Sequence, residues 1–151
     1  MFSIYDGPDA RCILLSKRSS LVAGLQDALE QNEAELTAVQ DYAALENALA
    51  ADPGINFVMI DLDSHASVNA QIPSLQRLRR LYRDRPTILL SADFTTNEFG
   101  THRKMLGDVS LRVPVLHTSL EIALLQAPVN NLEWCAHLDA TSSGAAKVAA
   151  E

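Results

Sequence analysis

Apolar positions along this chain alternate between two rhythms: short continuous runs, and recurrences every three or four residues. Arg11–Leu15 is a run of the first kind and predicts a buried strand, giving way to polar Ser16-Lys17-Arg18-Ser19-Ser20. Leu21, Leu25, Ala28 and Leu29 recur at helical spacing and predict a helix over roughly residues 20–32. Glu35–Val39 predicts a short second strand. Asp41 is the candidate N-cap of a second helix that carries Tyr42, Leu45, Ala48 and Leu49 and stops before Pro53-Gly54. Ile55–Ile60 is the strongest strand candidate and ends on Asp61-Leu62-Asp63, where a turn is expected.

The same alternation continues. Ile72, Leu75, Leu78 and Tyr82 line one face of a third predicted helix, which ends near Pro86. Thr87–Leu90 is the fourth strand candidate, ending at Ser91-Ala92-Asp93. A weaker helical pattern covers roughly Thr95–Leu106 and stops at Gly107. Val109–Val113 is the fifth strand, closed by Pro114, and Thr118 with Glu121 predicts a capping box for a last helix to about Ala127. Five strand–helix pairs, with strands apolar on both faces, specify a parallel sheet covered by helices on both sides. Such sheets carry function at the carboxyl ends of their strands, here Ser16/Lys17, Asp61/Asp63 and Ser91/Asp93.

Composition narrows the function classes. The 151 residues are 48% hydrophobic, enough for a core, and the net charge of −7 opposes non-specific binding to nucleic acid. No apolar run is long enough to span a membrane, and the N-terminus lacks a basic-then-apolar leader, so a cytoplasmic chain is expected. Cys12 and Cys135 read as free thiols, with Cys12 buried in its strand. With His65, His102, His117 and His137 scattered, no metal signature forms. No metal or other cofactor is expected.

The distribution of charge says more than its sum. Seven acids and no Lys or Arg lie between Ser19 and Asn56, whereas Arg77, Arg79, Arg80, Arg83 and Arg85 crowd the third helix. The arginines are expected on a solvated face, or on a surface for an acidic partner.

Three places in this order resemble the receiver domain of bacterial response regulators, over roughly Ala10–Ala127. Asn56-Phe57-Val58-Met59-Ile60-Asp61 resembles the third strand of that family, with Asp61 at the phosphoacceptor position. Pro86–Ala92 resembles the fourth strand, with Ser91 at the hydroxyl that contacts the phosphoryl group. Val113-Pro114 resembles the Lys-Pro pair after strand five. The resemblance implies a flavodoxin-like (βα)5 fold, doubly wound, with a parallel five-stranded sheet in the order 2-1-3-4-5. It also implies an arm over residues 1–9, a receiver-like domain over 10–128, and a tail over 129–151. Trp134 in that tail can dock on the domain, and residues 138–151 are expected to be disordered or weakly helical.

The departures matter as much. Where the family has an acidic pair that holds Mg²⁺, this chain has Ser16-Lys17. Its lysine position falls on Val113, and its aromatic switch position falls near Ser110. Mg²⁺ takes hard oxygen ligands, so an ammonium there opposes it. Lys17 is expected to pair with Asp61 or Asp63 in place of the metal. The implied function is an atypical receiver-like signalling module that works through protein contacts without normal Mg²⁺-dependent aspartyl phosphorylation. Two alternatives stand beside it: a phosphoacceptor using Asp61 in a phosphorelay, and a small-anion module using Lys17, Arg18, Ser19 and Ser20. The plainer reading of that loop is Ser19 or Ser20 as an N-cap.

The last helix is apolar nearly all round. Leu120, Ala123, Leu124 and Ala127 can face the sheet, leaving Ile122 and Leu125 exposed, in an interface, or under the Trp134 tail. The resemblance to receivers implies a homodimer through this face together with strand five. No nucleophile elbow and no Ser/His/Asp grouping is present, so an enzyme is not expected.

Overall fold

Five strands form one parallel sheet in the order 2-1-3-4-5. They are β1 (Arg11–Leu15), β2 (Glu35–Val39), β3 (Phe57–Asp61), β4 (Thr87–Ser91) and β5 (Val109–Arg112). The helices are α1 (Ser19–Gln31), α2 (Tyr42–Ala51), α3 (Val68–Leu81) and α4 (His117–Ala150). These assignments come from a computed structural model, which describes residues 10–65 and 67–150. The arm expected over residues 1–9 lies outside them.

Alternation along the strands builds two cores. Cys12, Leu14, Phe57, Met59, Ile88 and Leu90 point to one face, where Leu25 and Leu29 of α1 and Leu120 and Leu124 of α4 cover them. Ile13, Leu15, Val58, Ile60 and Leu89 point to the other, under Leu45 and Leu49 of α2 and Leu75 and Leu78 of α3. The sheet is thus doubly wound and flavodoxin-like, as expected. Each fully buried leucine contributes roughly 1.5–3 kcal/mol. β3 and β4 are buried along their whole length, and burial pushes the Cys12 thiol up to about 12, which leaves it unreactive.

Three local expectations are corrected. No helix forms over Thr95–Leu106. Glu98 instead makes an antiparallel bridge to Ser110, and the Asn97 side chain accepts from the Arg112 N–H. Thr95, Thr96 and Asn97 favour turns over helix, and Gly100 breaks the remaining periodicity. Gly107 follows because space demands it: a Cβ there would lie 2.7 Å from Leu89 Cγ.

The second correction is the last helix, which does not stop near Ala127. α4 starts at His117, so Thr118 lies inside its first turn and not at the N-cap, and it runs through Pro128 to Ala150. A proline in a helix interior costs about 3 kcal/mol. Here Ala127, Asn130, Asn131 and Trp134, all buried on the sheet side, hold the helix together across it. The helix therefore crosses the expected 128/129 boundary unbroken.

The third correction concerns α3. Arg79 is not on a solvated face but 2% exposed, paired to Asp108 at 2.9 Å through two parallel hydrogen bonds. Trp134 lies over its guanidinium at 4.7 Å, and the indole N–H donates to the Arg79 carbonyl. Docking of Trp134 was legible; the ion pair beneath it was not.

Candidate functional site

The carboxyl ends of β1, β3 and β4 meet at one place, as the parallel order requires. Asp61, the last residue of β3, is fully buried there. The chain turns directly after it into a short 3-10 turn over Leu62–Ser64, which the Asp61 side chain caps by accepting from the Asp63 N–H. This turn brings Ser64 back over the carboxylate.

Five donors converge on Asp61. Arg18 grips it with both prongs, Nη2 to Oδ1 at 2.6 Å and Nε to Oδ2 at 2.8 Å. The Ser16 hydroxyl donates to Oδ2 at 2.9 Å, the Ser64 hydroxyl donates to Oδ2 at 2.6 Å, and the Asp63 N–H completes the set at Oδ1. Burial pushes the Asp61 carboxyl up, but the bonds from Arg18, Ser64 and Ser16, with the Arg18 charge, hold it below the usual carboxylate range. The bond to Asp61 in turn raises the Arg18 guanidinium. Asp61 is thereby fixed as an anion with both oxygens engaged.

Asp63 is held separately. Its Oδ1 accepts from the Ser91 hydroxyl at 2.7 Å and its Oδ2 from the Ala92 N–H at 2.7 Å, with Arg18 Nη2 at 3.7 Å. Ser91 therefore serves Asp63 and not Asp61. Val113 is packed on the core beside Pro114, and lines a cleft of about 330 Å³ with Arg18, Leu21, Gly24 and His117.

The cation expected at this site is a different one. Lys17 is exposed and makes no ion pair among the described residues; only its backbone N–H reaches the site, donating to Ser64 Oγ. Arg18 occupies the N-cap position of α1 in an extended conformation, which turns its side chain back across the strand ends. Ser19 and Ser20 consequently fall inside the helix, exposed, and neither is its N-cap. Ser64 went unrecognised, although its place three residues after a strand-ending aspartate was a usable signal. Arg79 had a signal too, four residues after Leu75 and one after Leu78, on the apolar face of α3.

The donor set tests whether Mg²⁺ fits. It takes octahedral oxygen ligands and needs carboxylate charge. Here a guanidinium stands against Asp61, and the two positions after β1 are Ser16 and Lys17, neither of them a carboxylate. The residues do not fit that ion, and among the described residues no group of three acids, histidines or cysteines gathers to hold another. Nor, among them, is any helix long and apolar enough to cross a membrane.

No protein-family model matches this sequence, and no curated protein matches it. Solved structures do. A protein described as related to pilus assembly, from Burkholderia pseudomallei, superposes with a TM-score of 0.67 at 19% identity, covering 83% of this chain and 94% of that one. A response regulator receiver domain protein from Clostridium thermocellum gives 0.62 at 17% identity, covering 79% and 94%. This chain has the receiver-domain fold. A response regulator from Thermotoga maritima adds 0.67 at 13% identity, covering 80% and 98%. Against the five strand–helix pairs expected from the sequence, this chain has no helix between β4 and β5, and its α4 is 34 residues long.

Proposed function

We propose that this receiver-like chain is a non-enzymatic signalling module of the cytoplasm that works through protein contacts, without Mg²⁺-dependent phosphorylation of Asp61. The observation that carries the reading is the two-pronged Arg18–Asp61 pair. Phosphoryl transfer to a carboxylate needs a free oxygen lone pair in line with the donor, and a cation to neutralise the incoming charge. Asp61 has both oxygens bonded and no exposure. The cation beside it is part of the protein, so the site rests in one charge state and does not wait for metal. The chain then presents a constant surface to its partner.

The test is incubation of the full chain with acetyl phosphate and Mg²⁺, read by intact mass, with beryllofluoride as a second probe read by Trp134 fluorescence. No adduct and no spectral change are expected. A phosphoryl adduct that disappears in Asp61→Asn would establish the phosphorelay alternative. Stabilisation by inorganic phosphate that disappears in Lys17→Ala would establish the anion module.

A further inference from the structure

α1 and α4 cover the same face of the sheet, with Leu25 of α1 and Leu120 of α4 in one core. A cleft of about 330 Å³ separates α1 from the segment 113–117 that leads from β5 into α4. On the α1 side Ser20, Gly24 and Ala28 follow at intervals of four and share one face of the helix, a row about 12 Å long. None of the three carries more than a methyl or hydroxymethyl group, and a Cβ on Gly24 would meet nothing within 4 Å. Leu21, Leu25 and Val115 make the lining apolar.

The polar groups gather at one end. α1 starts after β1 and α4 after β5, both at the carboxyl ends of the strands, so Arg18, Ser20 and His117 share the upper mouth of the cleft. Arg18 gives Nε and Nη2 to Asp61, and its Nη1 makes no hydrogen bond among the described residues. The guanidinium charge is already matched, by Asp61 at 2.6 Å and Asp63 at 3.7 Å. An anion entering here would meet two carboxylates behind one cation and gain little. A neutral acceptor takes the spare N–H without that repulsion.

We propose that this cleft binds a small, uncharged apolar molecule of one or two rings that carries a hydrogen-bond acceptor such as a carbonyl. Its apolar body lies along Gly24 and Ala28 against Leu25 and Val115, and its acceptor takes a hydrogen bond from Arg18 Nη1. The volume is at the low end of the range of small-molecule pockets, about 300–1,000 Å³, and the mixture of an apolar lining with a few polar groups is theirs as well. Because the same guanidinium clamps Asp61, the occupant touches the one cation that fixes the state of that site. Binding itself asks nothing of phosphoryl transfer, so it stands or falls apart from the chemistry of Asp61.

Fluorescence titration of the full chain with prodan, a neutral two-ring ketone whose emission shifts to the blue in apolar surroundings, tests this. Saturable binding at one site is expected, with a Kd on the order of 0.1 mM. Gly24→Leu fills the cleft from its wall and should raise that Kd at least about tenfold, with far-UV circular dichroism unchanged. Leu132→Gln alters the outer side of α4, where Leu132 is 73% exposed, and should leave binding as it was. 2-Dimethylaminonaphthalene, which lacks the carbonyl, should bind several-fold more weakly, by about the worth of one hydrogen bond. No saturable binding, or binding that Gly24→Leu leaves intact, would overturn the site. Equal binding of the two dyes, or tighter binding of a naphthalene sulfonate than of prodan, would overturn the neutral acceptor.

Discussion

Arg18 and Asp61 meet across the top of the sheet in a two-pronged pair of 2.6 and 2.8 Å, in which the carboxylate is fully buried and the guanidinium still touches water. The two ends of this pair answer differently to mutation. Removing Arg18 leaves an anion buried with only Ser16, Ser64 and the Asp63 N–H to solvate it. Breaking a buried ion pair costs 3–5 kcal/mol, and the partial exposure of Arg18 reduces this. Arg18→Ala is expected to lower stability by about 2 kcal/mol in urea denaturation. Adding Asp61→Asn should recover a good part of that loss, because it removes the orphaned charge; a double variant no better than the single one would contradict the pairing.

The same carboxylate sets a pH dependence. Asp61 is held below the usual carboxylate range in the folded chain, whereas in the unfolded chain it titrates near 3.9. Between these values the unfolded state binds more protons, so stability rises with pH. The contribution of Asp61 is present above its unfolded pKa and is lost as pH falls through the folded one. Asp52, held low by Arg11, adds a parallel effect, so the test is a difference. Denaturation midpoints measured from pH 5.5 downwards should fall more steeply for the wild type than for Asp61→Asn.

How far the sequence spoke for itself depends on the range of the forces involved. Strands such as Phe57–Asp61 are buried on both faces, so their apolar runs were plain, and the Asp41 cap was local chemistry, now seen as its bond to the Ala44 N–H. The order of the sheet followed from the resemblance to receivers. Lys17 was mistaken for the cation of the site because the direction of a side chain at a helix start depends on how the loop turns, which no periodicity encodes. The last helix read as ending near Ala127, whereas packing of Asn130, Asn131 and Trp134 carries it on through Pro128. Thr95–Leu106 read as a helix because a few apolar residues fell at its spacing, while Glu98 had a better partner in Ser110, distant in the sequence.

Trp134 makes the extension of α4 part of the domain. Its ring covers the buried Arg79, its N–H satisfies the Arg79 carbonyl, and Asn131 beside it donates to Asp108 and to the Arg83 carbonyl. Trp134→Ala is expected to cost about 3–5 kcal/mol, the range of a buried aromatic replaced by alanine. A chain ending at residue 128 should do worse, since it exposes the Arg79–Asp108 pair and leaves the Asp108 carbonyl without its Asn130 donor. Loss of cooperative thermal unfolding in the truncated chain is the expected result, and a truncated chain that melts like the full one would show the extension to be dispensable.

Two glycines should respond to alanine with opposite signs. Gly24 sits inside α1, where a Cβ would have nothing within 4 Å and the backbone has no positive φ. Glycine in a helix interior costs roughly 0.5–1 kcal/mol relative to alanine, largely through the freedom it adds to the unfolded chain. Gly24→Ala should therefore stabilise the protein by that amount. Gly107 precedes β5 where a Cβ would be driven against Leu89 Cγ at 2.7 Å, and Leu89 is itself 1% exposed with no room to retreat. Overpacking of this kind costs about 1–3 kcal/mol, so Gly107→Ala should destabilise by at least as much as Gly24→Ala gains. Chemical denaturation of both single variants and of the double variant measures this directly. The sites lie on different elements with no shared neighbour, so the double variant should match the sum of the singles to within about 0.5 kcal/mol.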